Sequence, residues 1–109
     1  MTDQDKKFLS DILQAIELIE SFTSEIKDFD HYLSDLKTQS AVERQLGIIG
    51  DAIKSYDKLV PKTPLSNTRQ IAGFRNRLIH TYDAIDQTIL WTIIKRHLQP
   101  LKSEVSSRL

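Results

Sequence analysis

The sequence predicts an all-α fold, a bundle of four main helices with a fifth short piece. Three observations lead there. Apolar residues recur at steps of three and four over long stretches. No alternating apolar–polar run suggests a strand anywhere. Only three glycines and three prolines occur to punctuate the chain.

The first helix starts at Thr2 or Asp3, either a suitable N-cap, and carries Phe8, Ile12, Ile16, Ile19, Phe22 and Ile26 at helical spacing. Leu9, Leu13 and Leu18 widen that stripe, so this helix is expected to be buried on more than one side. "KDFDHYLSD" reads as a short helical turn or loop. A second long helix follows from roughly Gln39 to Leu59, with Val42, Leu46, Ile49, Ile53, Tyr56 and Val60 forming an apolar seam. Pro61 and Pro64 in "VPKTPLSN" end it. Ser66 or Asn67 can cap the next helix, "TRQIAGFRNRLIH", with Ile71, Phe74 and Leu78 facing inward. Periodicity is interrupted at "TYDAID". Asp86 is a good N-cap for a last helix carrying Ile89, Leu90, Trp91, Ile93, Ile94 and Leu98, which Pro100 interrupts or kinks.

Composition limits what such a bundle can do. At 109 residues, residues 1–109 are expected to form one domain around one modest core. Lysine plus arginine equals aspartate plus glutamate, 15 against 15, so the chain lacks the overall basic excess that drives non-specific nucleic-acid binding. Any contact with RNA or DNA has to come from a local patch. With no cysteine, disulfides, thiol catalysis and cysteine-bound metal are excluded. No signal core and no membrane-length apolar run occurs, so the expected address is cytoplasmic, without membrane association.

One stretch is too polar for a helix that only folds. "FRNRLIHTYDAID", residues 74–86, holds two arginines, an asparagine, a histidine, a tyrosine and two aspartates. On a regular helix Arg75 and Tyr82 lie within roughly 20° of each other, whereas His80 lies about 140° from Arg75. Either the helix ends or distorts near His80, or a second molecule brings the groups together.

The octapeptide "RNRLIHTY" resembles the signature of HEPN-domain ribonucleases of the HepT-like group. "DILQAIELIESF", "TQSAVERQLGIIGDAIK", "IAGFRNRLIHTYDAID" and "ILWTIIKRHLQPL" resemble the corresponding blocks of that family, in the expected order and over nearly the whole chain. One departure is "GIIGDA", where Gly47 and Asp51 stand at positions at which the family pattern leads one to expect glutamate.

The resemblance implies a HEPN-type antiparallel four-helix bundle with an additional short C-terminal helix, assembled as a homodimer. It implies a metal-independent endoribonuclease toxin of a type VII (HEPN/MNT) toxin–antitoxin system, needing no cofactor, with RNA as substrate. The implied partner is a cognate MNT-type nucleotidyltransferase antitoxin that silences the toxin by attaching AMP. By position, Arg75 and His80 match the catalytic pair, Asn76 the supporting polar residue, and Tyr82 the modified tyrosine.

The chemistry is coherent: histidine exchanges protons near neutral pH, and arginine stays charged and pairs with phosphate. Asn76 either orients the histidine or bonds the backbone near a helix end. Arg77 is most simply a solvated or phosphate-positioning side chain. The alternative reading is a non-catalytic module that binds a nucleotidyltransferase and helps present its substrate.

The remaining candidates have simpler explanations. His31 and His97 lack metal spacing with each other or with His80, and His97 is expected in the last turn before Pro100, where a positive charge suits a helix end. "DFDH" reads as a helix-capping loop rather than a cation site. Trp91 is expected in the core or a dimer interface.

Overall fold

The computed structural model describes residues 2–80 and 85–109, with side chains described for residues 2–74 and 85–109. The described residues are helical with no strand: α1 (Asp3–Thr23), α2 (Phe29–Ser34), α3 (Leu36–Leu59), α4 (Arg69–His80), α5 (Gln87–Thr92), a wide π turn (Ile93–His97) and α6 (Leu98–Arg108). α1 packs along α3 and α6, α4 lies against α3, and α2 sits on α3 and α5.

Local chemistry explains most helix starts. Thr2 caps α1 reciprocally: its hydroxyl accepts from the Asp5 N–H at 3.1 Å and its own N–H donates to the Asp5 carboxylate at 3.2 Å. Asp28 caps α2 by accepting from the His31 N–H at 2.9 Å. Asp35 caps α3 through the Thr38 N–H at 3.0 Å, so α3 begins three residues before the expected Gln39. Gln39 is instead buried, and its Nε2 donates to the carbonyl oxygens of Tyr32 and Leu33, satisfying the end of α2. Asp86 caps α5 through the Thr88 N–H at 2.9 Å.

The seam expected on the second long helix is there: Val42, Leu46, Ile49, Ile53 and Tyr56 are buried, with Val60 partly so. They meet Leu9, Ile12, Ala15, Ile16 and Ile19 of α1. α1 is covered on more than one side, as expected, because α3 and α6 both pack on it and Leu9 is buried with Leu13 partly so, but not at every apolar position. Leu18 and Phe22 remain 37% and 38% exposed, and Ile26 lies beyond the end of α1. Periodicity counts apolar positions, but only partner helices decide how many of them are covered. The glycines are not punctuation either, since Gly47 and Gly50 lie within α3 and Gly73 within α4.

The last element also differs from expectation. Pro100 does not interrupt it; α6 runs through to Arg108. The irregularity comes just before, where the Leu98 N–H bonds the Ile93 carbonyl across five residues. Buried positions step Leu90, Ile93, Leu98, Leu101, Val105, and the step of five across the wide turn keeps both Ile93 and Leu98 in the core. Pro100 then falls in the first turn of α6, where a missing N–H is tolerated. The C-terminal piece is thus an eleven-residue helix continuous with α5 through the wide turn, and the short isolated helix is α2. Among the described residues no helix is long and apolar enough to cross a membrane.

Candidate functional site

α4 carries the polar motif, and its approach is fixed from a distance. Between Val60 and Thr68 the chain has no helix of its own. The Leu65 N–H donates to Asp57 at 2.9 Å. Glu104, on α6, accepts from the backbone N–H groups and the side chains of both Ser66 and Asn67, at 2.9 to 3.1 Å. Arg108 closes the clamp by donating to the carbonyl oxygens of Thr63 and Pro64 and to the Tyr56 hydroxyl.

These bonds correct the expected cap. Ser66 and Asn67 give their N–H groups to Glu104, and α4 starts later, with the Ala72 N–H bonding the Thr68 carbonyl at 2.9 Å. Burial of Glu104 would raise its pKa, but the N–H groups of Ser66 and Asn67 outweigh that and hold the carboxyl below its ordinary value.

Ile71 and Phe74 are buried as expected, pinning α4 to the core. The backbone helix continues through Arg75 and Asn76 and is described as far as His80. Five residues place the Cα atoms of Arg75 and His80 about 140° apart around the axis and roughly 7.5 Å along it. The side chains of Arg75, Asn76, Leu78 and His80 lie outside the described residues, as does all of Tyr82. The described structure therefore brings three of the four candidate positions onto one helix.

Beyond the motif the chain is anchored again. Gln87, at the start of α5, donates from Nε2 to the Glu43 carboxylate and accepts from the Tyr32 hydroxyl, both at 2.9 Å. An ionised carboxylate can only accept, so Glu43 orients the Gln87 amide and turns its oxygen toward Tyr32. Burial, reinforced by the Glu43 charge, raises the Tyr32 pKa and keeps the hydroxyl a donor. The start of α5 is thus tied to α3 at Glu43.

There α3 presents an open groove of about 450 Å³ lined by Ser40, Glu43, Arg44, Gly47, Ile48 and Asp51. Gly47 and Asp51, the two positions where the family pattern leads one to expect glutamate, both line this groove, together with Glu43. Sequence reasoning missed Glu43 and Gln87, which lie 44 residues apart. The only available signal was a glutamine directly after the Asp86 cap.

The remaining candidates can now be placed. Tyr32 and Tyr56 are buried, and their hydroxyls bond Gln87 and Arg108. Trp91 is partly buried against Tyr32, with ring centres 5.3 Å apart, and Lys95 sits 4.6 Å from its centroid. This favours the core-packing expectation. The His31 ring accepts the Lys27 N–H at 3.2 Å, so "DFDH" is a capping loop. His97 is not at a helix end, because the chain continues into α6; it lines a cleft of about 220 Å³ with residues 66–70 and Pro100. Among the described residues, no group of three or more histidine or carboxylate side chains could hold a metal ion.

The family described as Ribonuclease HepT-like matches residues 12–108 of this chain. A Thermococcus cleftensis protein named "Probable ribonuclease HepT" is 44% identical over 91% of this chain and 90% of its own length. A Methanocaldococcus jannaschii protein, provisionally named an RNase, is 39% identical over 82% of this chain and 74% of its own length. Another provisionally named RNase, from Caldanaerobacter subterraneus, is 31% identical over 92% and 89% of the two chains. No solved structure gives a significant match.

Proposed function

The chain belongs to the HepT-like ribonuclease family, and from that premise we propose that it is a metal-independent endoribonuclease toxin silenced by AMP transfer to Tyr82. The observation that carries the reading is the placement of "RNRLIHTY" in a chain of this family: Arg75, Asn76 and His80 share α4, and Tyr82 follows His80 by two residues in the sequence.

The 2′-hydroxyl of RNA attacks the adjacent phosphorus, the bond to the 5′-oxygen breaks, and a cyclic phosphate and a free 5′-hydroxyl result. The reaction needs a base for the attacking hydroxyl, a cation for the phosphate oxygens and an acid for the leaving oxygen. Arg75 supplies the charge and His80 a proton-transfer group, with Asn76 supporting them. One chain offers one such histidine. A two-fold homodimer with both motifs on one groove offers two, and it overcomes the separation of Arg75 and His80 around α4.

Silencing follows from the same placement. The Tyr82 oxygen attacks the α-phosphorus of ATP held by a cognate MNT-type nucleotidyltransferase. Pyrophosphate leaves, and the hydroxyl proton passes to a base. The attached AMP sets negative charge and bulk beside Arg75, against the path of RNA. Tyr32 and Tyr56 are poor rivals for this role because both are buried and hydrogen-bonded.

The test is RNA cleavage by the purified protein in chelator. His80→Ala and Arg75→Ala should each lower the rate by about 10²–10⁴-fold with the helical fold retained. Incubation with the cognate transferase and ATP should add AMP to Tyr82 by peptide mapping, and Tyr82→Phe should escape silencing while still cleaving RNA. A wild-type protein that cleaves no RNA, or an activity lost in chelator, would overturn the ribonuclease reading. AMP found on Tyr32 or Tyr56 would overturn the regulatory one.

A further inference from the structure

A chain with zero formal net charge must attract RNA locally, and the described surface offers a cleft beside the motif helix that suits a phosphate. This is the cleft of about 220 Å³ lined by residues 66–70, His97 and Pro100. Its charged and polar side chains are Ser66, Asn67, Thr68, Arg69, Gln70 and His97. None is a carboxylate, and because the Ser66 hydroxyl and the Asn67 amide already donate to Glu104, the donors that meet a ligand are Thr68, Arg69, Gln70 and His97. Glu104 reaches the same segment, but its oxygens are engaged by Ser66, Asn67 and Arg108.

We infer that this cleft is a second RNA subsite, in which Arg69 and His97 hold a backbone phosphate outside the cleaved bond. The inference rests on the ribonuclease reading for the identity of the ligand.

Helix geometry links the cleft to the motif. Arg69 and His80 are eleven residues apart, so their Cα atoms are separated by roughly 16 Å along the axis and only about 20° around it. Gly73 lies between them, within about 40° of Arg69 and about 20° of His80. It is exposed, and a Cβ built there would meet nothing within 4 Å. No glycine in the described structure has a positive φ, so backbone strain does not require one here. Nothing within the described chain calls for glycine in the middle of α4, where it weakens the helix. Gly73 leaves one bare position on this face between the cleft and the motif, which suits an RNA backbone lying close along the helix.

His97 reaches the cleft through the wide turn, which breaks the regular three-and-four spacing between Ile93 and Leu98. The cleft is lined by donors rather than apolar groups, and the large exposed side chains Leu18, Phe22, Leu33, Leu36 and Leu59 do not line it. That favours a polyanion over a second copy of the chain.

The experiment measures binding of a labelled single-stranded RNA to the full chain by fluorescence anisotropy, with His80→Ala as the background so that the probe survives. Adding Arg69→Ala should weaken binding by about tenfold, and adding His97→Ala as well should weaken it further. The slope of log affinity against log salt should fall by about 0.7 for each phosphate that is no longer neutralised. In the cleaving protein the same changes should appear mainly in KM.

Lys7→Ala on α1 removes the same charge as Arg69→Ala and serves as the control. Gly73→Leu should weaken RNA binding with the helical signal intact. Arg69→Ala and the double variant behaving like Lys7→Ala would overturn the inference. So would an altered oligomeric state by light scattering with RNA affinity unchanged, since the cleft would then be a contact between copies. Failure of the wild type to cleave RNA sinks the ribonuclease reading instead, and the binding comparison still decides whether the cleft holds a polyanion.

Discussion

The two ends of α4 are held in different ways. Before the helix, the chain is gripped by charged side chains from the far end of the sequence: Glu104 takes the N–H groups of Ser66 and Asn67, and Arg108 takes the carbonyls of Thr63 and Pro64. After it, the anchor is a relay from the buried Tyr32 hydroxyl through the Gln87 amide to Glu43. The entry clamp is ionic and acts on backbone groups that would otherwise face water or go unpaired. The exit relay is mostly neutral and acts on one side chain beyond the motif. The entry therefore bears chiefly on whether α4 forms where it does, and the exit on where the chain is fixed again at Gln87, five residues after Tyr82.

The largest effect should come from breaking the entry. Glu104→Ala removes the acceptor for two backbone N–H groups and two side chains, and it leaves Arg108 without its carboxylate. A loss of about 2–3 kcal/mol is expected, read as a lower midpoint in urea. RNA cleavage per folded molecule should change little at permissive temperature. A stability change below about 0.5 kcal/mol would show that the clamp contributes nothing beyond a surface ion pair.

Breaking the exit should reverse the pattern. Gln87→Ala leaves the Tyr32 hydroxyl without an acceptor and frees Glu43, at a cost of about 1 kcal/mol in stability. If the relay positions the chain after His80, the rates of RNA cleavage and of AMP addition to Tyr82 should both fall, by about tenfold. Tyr32→Phe keeps the Gln87–Glu43 bond and should recover most of the rate. Equal loss in the two variants would mean that the relay is only packing.

How far the sequence reveals these features depends on the range of each interaction. Caps at Thr2 and Asp86 act within three residues, and both are legible from the sequence. The α3 seam is legible because it repeats. Gln39 reads as a helix start because its partners, the carbonyls of Tyr32 and Leu33, belong to a helix the sequence leaves ambiguous. Ser66 and Asn67 read as caps because their competing acceptor, Glu104, is 38 and 37 residues away. The motif on α4 is legible through its resemblance to a family, and the backbone carries Arg75 through His80 on a helix. The relay and the cleft are not legible, because each joins polar residues from separate elements with no periodic signal. His97 escapes for a related reason: the step of five between Ile93 and Leu98 is there in the sequence, but Pro100 suggests an interruption or kink instead.

The smallest expected effect is a difference in acid sensitivity between the two ends. The Glu104 carboxyl is pushed up by burial, yet the bonds from Ser66 and Asn67 prevail and hold it below the ordinary value of 4.5. The folded state therefore binds this proton less readily than the unfolded chain. Its contribution to stability is fully present above 4.5 and is lost as pH falls through the depressed value. Glu104→Gln cannot ionise, so its deficit against wild type should be largest near neutrality and shrink on acidification. The Tyr32 hydroxyl is already protonated and has nothing to gain in acid; burial and the Glu43 charge move its own titration further into the alkaline range. The hydroxyl removed in Tyr32→Phe therefore contributes no acid-dependent deficit of its own. Urea denaturation of the three proteins over a pH series separates the cases. A Glu104→Gln deficit that stays constant into acid would mean that the carboxylate charge is not what grips the start of α4.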